Sequence, residues 1–244
     1  MALSAPCPKA PVNIDQKLAE PVKLYLAGFI IQTLMIFKNR EEAAHLLARE
    51  LTAFANTDAV VLALPRGGVP LGYIIAKDLH LPLDVILIKK IGYPRQPEYA
   101  VGAVSLNSLI TNPHIDLPES YFQEQTLRIR QQLQERYERY KKDTQPVAIK
   151  DKPVLLVDDG IATGYTVLAA AQLIRKSNPA QIILAVPVAS PRALDKIRPF
   201  VDDIVCLEAP EAFQAVGQFY ADFSEVSHEE VIRLLADPEV QGKT

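Results

Sequence analysis

The chain has 244 residues, 49% of them apolar and 23% charged, and a net charge of −3. That length and balance supply enough apolar surface for a full core, while the slight acidity excludes a protein built mainly to coat a nucleic-acid backbone, which needs a basic excess. The only cysteines, Cys7 and Cys206, exclude a disulfide framework and a Cys-rich metal site, and a cytoplasmic location is expected.

Residues 1–22 carry Pro6, Pro8, Pro11 and Pro21 among polar residues and show no helical or strand period, which predicts a disordered or loosely attached tail. The apolar stretch from Leu24 to Phe37 contains Gln32 and Thr33 and is shorter than the roughly 20 residues of a membrane span. Asp15 and Glu20 ahead of it do not suit a secretory leader, so no membrane partner is expected. The stretch reads as a docking segment or an over-extended start, and residues 1–34 as an extension ahead of a body over 35–244. Asn39 followed by Glu42 marks a helix start, with Ala43, Ala44, Leu47, Leu51 and Phe54 on one stripe that ends near Asn56.

From Ala59 onward, short apolar runs alternate with longer amphipathic ones, the signature of βαβ units. The pattern predicts strands over 59–64, 83–91, 100–106, 153–157, 181–189 and 203–207. It predicts helices over 69–80, 119–142, 164–177, 191–200, 211–219 and 228–236. The fold class expected is α/β: an open, mostly parallel sheet flanked by helices, in one domain.

Residues 154–166 read Val-Leu-Leu-Val-Asp-Asp-Gly-Ile-Ala-Thr-Gly-Tyr-Thr. An apolar strand runs into two acids, a loop of small residues and a helix start near Gly164. In an open α/β sheet such a loop lies at the carboxyl ends of the strands, where ligands bind. There the N–H groups of Ala162, Thr163, Gly164, Tyr165 and Thr166 can converge on a phosphate, helped by threonine hydroxyls and the helix dipole. Adjacent carboxylates repel unless a cation or hydroxyls face them. A vicinal diol with a nearby magnesium ion supplies both, so Asp158 and Asp159 suggest a ribose. An Asp-Asp-Gly turn also caps helices in proteins that bind nothing, but the thirteen-residue string is far more specific than its parts.

The string resembles the 5-phosphoribosyl-1-pyrophosphate (PRPP) signature of the type I phosphoribosyltransferases. That resemblance implies that Asp158 and Asp159 hold the ribose hydroxyls, and magnesium (Mg2+) directly or through water, while Ala162, Thr163, Gly164, Tyr165 and Thr166 hold the 5-phosphate. Ala162 stands where hypoxanthine and guanine members often carry an acid; adenine members resemble this chain there.

Two further loops fit. Leu-Pro-Arg-Gly-Gly-Val-Pro over 64–70 follows a strand; Gly67 and Gly68 allow a backbone bend that exposes amides and Arg66 to an anion. In the resembling family this loop embraces the pyrophosphate, often through an unusual peptide bond, and a guanidinium suits that task. Lys89 and Lys90 end the next strand and point to opposite faces, so one of them faces a given ligand. Many family members have Arg-Lys here, ahead of a mobile loop; this chain has a shorter, Pro-containing one, so limited closure is expected. Glu98 is the one carboxylate in that loop and reads equally as a solvated acid or as a group that orients a nucleophilic nitrogen. Toward the C-terminus, Phe213, Val216, Gly217, Phe219, Tyr220 and Phe223 suggest core packing or the variable hood over the acceptor.

From Met35 to about Leu235 the arrangement looks like a subgroup of predicted phosphoribosyltransferases. The function implied is a magnesium-dependent glycosyltransferase of nucleotide salvage, taking PRPP and a small nitrogenous acceptor such as a nucleobase and releasing pyrophosphate. Arg66, Lys90, Glu98, Asp158 and Asp159 are its catalytic candidates. The alternative is a non-catalytic regulator that binds PRPP or nucleotides. Oligomeric state is left open, a homo-oligomer included. A dinucleotide-dependent oxidoreductase is disfavoured because no Gly-x-Gly-x-x-Gly follows the first strand, and an NTPase because Tyr165 stands where a phosphate-gripping Lys is needed. His45, His80, His114 and His228 show no metal-ligand spacing.

Overall fold

The computed structural model describes residues 23–26, 29–32, 35–112, 114–142 and 146–241. The chain divides into two units, 1–33 and 34–244. The first holds strands β1 (Lys23–Leu26) and β2 (Phe29–Gln32), paired antiparallel; the tail expected over residues 1–22 lies outside the described residues.

The second unit opens with α1 (Arg40–Glu50). Asn39 Oδ1 accepts the Glu42 amide at 3.0 Å while Glu42 Oε2 accepts the Lys38 amide at 2.5 Å, a reciprocal cap that satisfies two otherwise orphaned donors. There follow β3 (Val60–Ala63), α2 (Gly68–Leu79), β4 (Leu83–Val85), β5 (Lys89–Tyr93), β6 (Gln96–Val104), β7 (Leu109–Thr111) and α3 (Glu119–Tyr140). The remainder is β8 (Pro153–Val157), α4 (Tyr165–Arg175), β9 (Gln181–Val188), α5 (Pro191–Ile197), β10 (Asp203–Glu208) and α6 (His228–Leu235).

Five strands form a parallel sheet in the order β10-β9-β8-β3-β4. Strands β3 and β8 and β9 beyond Gln181 read as unbroken apolar runs because both faces are covered. Val61, Ala63, Leu155, Val157, Ile183 and Ala185 point into the core beneath α1, α2, α3 and α6. Their neighbours Val60, Leu62, Val154, Leu156, Ile182 and Leu184 point into a second core beneath α4 and α5. From β3 the chain passes through α2 to β4 on one side; from β8 it passes through α4 to β9 on the other. The order therefore reverses between β3 and β8, and in such sheets ligands bind outside the carboxyl ends of the strands at that reversal.

The sequence-based bounds need three corrections. The strand expected over 83–91 is two elements in two sheets. β4 stays in the parallel sheet, Val85, Ile86 and Leu87 are all buried, and β5 begins at the exposed Lys89 as part of an antiparallel sheet β5-β6-β7. A continuous apolar run carries no mark of the residue at which the chain changes sheets. The strand expected over 100–106 is the end of β6 in that same sheet. The helix expected over 211–219 is irregular apart from a short 3-10 turn at Val216–Phe219, since stacking of Phe213 on Phe219, with centroids 5.4 Å apart, satisfies the apolar spacing without a helix. No helix among the described residues is long and apolar enough to cross a membrane.

Candidate functional site

Two of the loops singled out in the sequence meet at the reversal between β3 and β8. The β3–α2 loop carries Arg66, Gly67 and Gly68, with a cis peptide between Pro65 and Arg66. The β8–α4 loop carries Asp158 and Asp159. A Cβ on Gly67 would lie 2.0 Å from Asp159 Oδ2, and one on Gly68 2.7 Å from the Val157 carbonyl oxygen. Only glycine allows the two loops this approach.

Asp158 and Asp159 are both half-buried. Burial, and then the charge of Asp159, push the Asp158 carboxyl well above the usual range, against the Asp159 amide that donates to Asp158 Oδ1 at 2.9 Å and the nearby Arg40. Burial also raises Asp159, and the hydrogen bonds and charge of Arg40 oppose it. Arg40 Nε and Nη2 donate to Asp159 Oδ2 at 2.9 and 2.8 Å. The third arm, Nη1, donates to the Ser224 carbonyl at 2.7 Å, and the guanidinium lies 4.0 Å above the Phe223 ring centroid. Phe223 stacks on Tyr220 at 5.0 Å, and the Tyr220 hydroxyl donates to the Asp159 carbonyl oxygen at 2.6 Å. The segment after β10 thus closes over the acids, with Phe219 and Tyr220 in the core and Phe223 at the surface.

Ile161 is buried and bridges Ala189 on the strand side, after which Ala162 and Thr163 are exposed. Ser190 Oγ donates to the Ala162 carbonyl at 2.7 Å, and Lys196 Nζ to the Thr163 carbonyl at 2.8 Å. In a trans peptide the N–H points opposite the carbonyl, so the amides of Thr163 and Gly164 face away from α5. Gly164, at φ +77°, turns the chain into α4, whose N-terminus no side chain caps. Its first-turn amides therefore remain available to an anion.

Lys89 and Lys90 border a different part of the surface. Together with Tyr165 and Thr166 they line a cleft of about 970 Å³ between the antiparallel sheet and α4. Lys89 Nζ also donates to Gln132 Oε1 on α3 at 2.7 Å. Arg66 pairs with Glu225 and lines a separate cavity against α3. Glu98 lies in β6, and the described structure does not extend to its side chain. Asp158, Asp159, Gly67 and Gly68 therefore form one cluster and Lys89, Lys90, Tyr165 and Thr166 another, joined by the loop at 162–164.

Arg40 and Lys196 were not singled out in the sequence, and Tyr220 was expected only as core packing or hood, not as a donor to Asp159. Each meets the β8–α4 loop from far along the chain, and a lone Arg, Tyr or Lys carries no local signal of that contact. No group of three or more His, Cys, Asp or Glu that would hold a metal on its own occurs among the described residues. Asp158 and Asp159 could hold a magnesium ion only if it took its remaining ligands from substrate and water.

A profile of the phosphoribosyl transferase domain family matches residues 32–224. The chain is 37% identical over 207 residues to a Mycobacterium tuberculosis H37Rv protein named "Putative phosphoribosyl transferase Rv0571c", covering 82% of this chain and 46% of that protein. A protein of Mycobacterium tuberculosis CDC 1551 matches to the same extent; the chain spans about half the length of the curated relatives it matches. It is similar to the crystal structure of TT1426 from Thermus thermophilus, with a TM-score of 0.76 and 39% identity over 85% of this chain and 100% of that one. With the paired acids and their glycine-bounded loops inside the matched residues, the chain belongs to the phosphoribosyl transferase domain family.

Proposed function

We propose that the protein transfers the 5-phosphoribosyl group of PRPP to a nitrogenous acceptor, a nucleobase being the class expected, with release of pyrophosphate. The observation that carries this reading is the meeting of Gly67 with Asp159 at the switch between β3 and β8. It joins one loop whose residue chemistry suits an anion, and which the family resemblance assigns to pyrophosphate, with another whose paired acids suit a ribose.

In the reaction the bond from the anomeric carbon to the pyrophosphate oxygen breaks, and the leaving group takes the electron pair. The acceptor nitrogen supplies the pair for the new bond and loses its proton to water. Positive charge grows on the sugar, and Asp158 and Asp159 would stabilise it. The amides of Thr163 and Gly164 and the first turn of α4 would hold the 5-phosphate, fixing the anomeric carbon relative to both loops. Arg66, with Lys89 or Lys90, would take the pyrophosphate. Asp158 and Asp159 would hold magnesium, which supplies charge neutralisation for the leaving group. Of the two acids Asp158 is the less engaged, because Asp159 carries Arg40.

The test is calorimetry with PRPP and magnesium, followed by a panel of nucleobases assayed for pyrophosphate release. Asp158→Asn combined with Asp159→Asn is expected to abolish binding, and unaltered affinity would rule the assignment out. The pairing of Asp159 with Arg40 and of Arg66 with Glu225 favours a second reading, a regulator that binds PRPP without turnover. Binding without pyrophosphate release for any base would select that one.

A further inference from the structure

Arg40 is the first residue of α1, where the aligned helix amides carry partial positive charge and a cation is out of place. Glu41 and Glu42 in the same turn suit the dipole, yet the Arg40 side chain leaves them for Asp159. A local rule broken at one residue of an otherwise regular helix points to a demand from outside that helix.

The way the guanidinium meets Asp159 shows what the demand is. An arginine that only fastens two segments commonly spreads its fork across both carboxylate oxygens. Here Nε and Nη2 converge on Oδ2, at 2.9 and 2.8 Å. Among the described residues no other residue donates a hydrogen bond to Oδ1. The guanidinium is itself held on its remaining edge and on one face, by the Ser224 carbonyl at 2.7 Å from Nη1 and by the Phe223 ring at 4.0 Å. Only 12% of the Arg40 side chain is exposed. Gly67 closes on the same carboxylate from the β3–α2 loop, since a Cβ there would collide with Oδ2. Asp159 is thus fixed through one oxygen, while the other is left for a donor that the protein does not supply.

We propose that Arg40 is a positioning residue for sugar recognition: it pins Asp159 by Oδ2 so that Oδ1 accepts from a ribose hydroxyl. The inference deepens the phosphoribosyl-transfer reading and rests on it for the ligand. Its consequence is selectivity for hydroxylated sugars, because a deoxy sugar leaves a part-buried acceptor unpaired. Lysine cannot take over the task. An ammonium group has no fixed fork to set the carboxylate and no plane to lie on Phe223.

The experiment titrates the full chain by calorimetry with ribose 5-phosphate and with 2,3-dideoxyribose 5-phosphate, at a temperature where circular dichroism shows each variant folded. The wild type is expected to bind the ribose compound about tenfold more tightly or better, since a hydroxyl bonded to a carboxylate is a charge-assisted contact. Arg40→Lys should shrink that preference about fivefold while leaving affinity for the dideoxy compound within about twofold. An arginine with a merely structural role would lower both affinities by one factor, so an unchanged preference overturns the proposal. Asp159→Asn should shrink the preference as well, and Arg40→Lys should then add nothing to it; losses that multiply would show that Arg40 does not act through Asp159, and also overturn the proposal. Phe223→Leu removes the ring beneath the guanidinium and keeps the ion pair. It should give a smaller loss of preference in the same direction, and serves if Arg40→Lys does not fold. Tight PRPP binding with an unchanged sugar preference in both variants defeats this assignment alone. A wild type that binds neither sugar phosphate nor PRPP with magnesium defeats the transfer reading, and this assignment falls with it.

Discussion

Arg40 and Asp159, 119 residues apart, form a two-pronged hydrogen bond in which Nε and Nη2 share one carboxylate oxygen. Their side chains are only 12% and 14% exposed, so the pair is little screened by water. Arg40→Met leaves the Asp159 carboxylate without its cation and the Ser224 carbonyl without its donor. A loss of about 2–3 kcal/mol in urea unfolding is expected, below the range for fully buried pairs. Adding Asp159→Asn should recover part of it, and purely additive losses would show that the two side chains do not interact.

Gly67→Ala places a methyl group where Asp159 Oδ2 now lies. Either the β3–α2 loop or the carboxylate must move, and both belong to the proposed substrate contacts. Affinity for magnesium and PRPP is expected to fall about tenfold or more, with little change in far-ultraviolet circular dichroism. Undiminished affinity would mean that the contact between the loops has no part in binding.

Much of this architecture could be read directly from the chain, and the failures have a common cause. Residues 154–166 were legible because strand, acids, loop and helix start are neighbours in sequence, and the same holds for Gly67 and Gly68. Arg40 and Tyr220 were not, because their meaning lies in contacts with Asp159 that only the folded topology creates. The switch from β4 to β5 was hidden inside an apolar run, and the region at 211–219 imitated a helix because ring stacking needs no backbone period.

Tyr137 on α3 donates its hydroxyl to both oxygens of Asp84, at 3.0 Å each, in an almost fully buried setting. Asp84 also accepts the amides of Val85 and Val147 at 2.8 and 2.7 Å. Burial, followed by the Asp84 charge, pushes the Tyr137 phenol far above its usual range, so it stays a donor at any working pH. Tyr137→Phe is expected to cost about 1.5–3 kcal/mol, the worth of a hydrogen bond to a charged group. A midpoint shift in urea without a change in slope is the expected signature.

Asp237 accepts the Tyr73 hydroxyl at 2.6 Å and the Glu239 amide at 3.0 Å. These bonds, Tyr73 first, hold its carboxyl below the ordinary 3.8. The unfolded chain therefore takes up this proton more readily than the folded one. The resulting stabilisation is present above about pH 4 and disappears as pH falls through the lower folded-state value. Tyr73→Phe should flatten the acid limb of a plot of Tm against pH, and parallel limbs for the two proteins would disprove the link.

Phe37 and Tyr220 bridge in parallel, with the Phe37 amide on the Phe219 carbonyl and the Ala221 amide on the Phe37 carbonyl, both at 2.8 Å. During synthesis Arg40 emerges early and Tyr220 late, with both aspartates in between. A nascent chain halted ahead of Tyr220 can build the parallel sheet, yet the backbone of Asp159 then lacks its phenol donor and Arg40 lacks its aromatic backing. The contacts that brace Asp159 are thereby completed only when translation reaches the segment after β10.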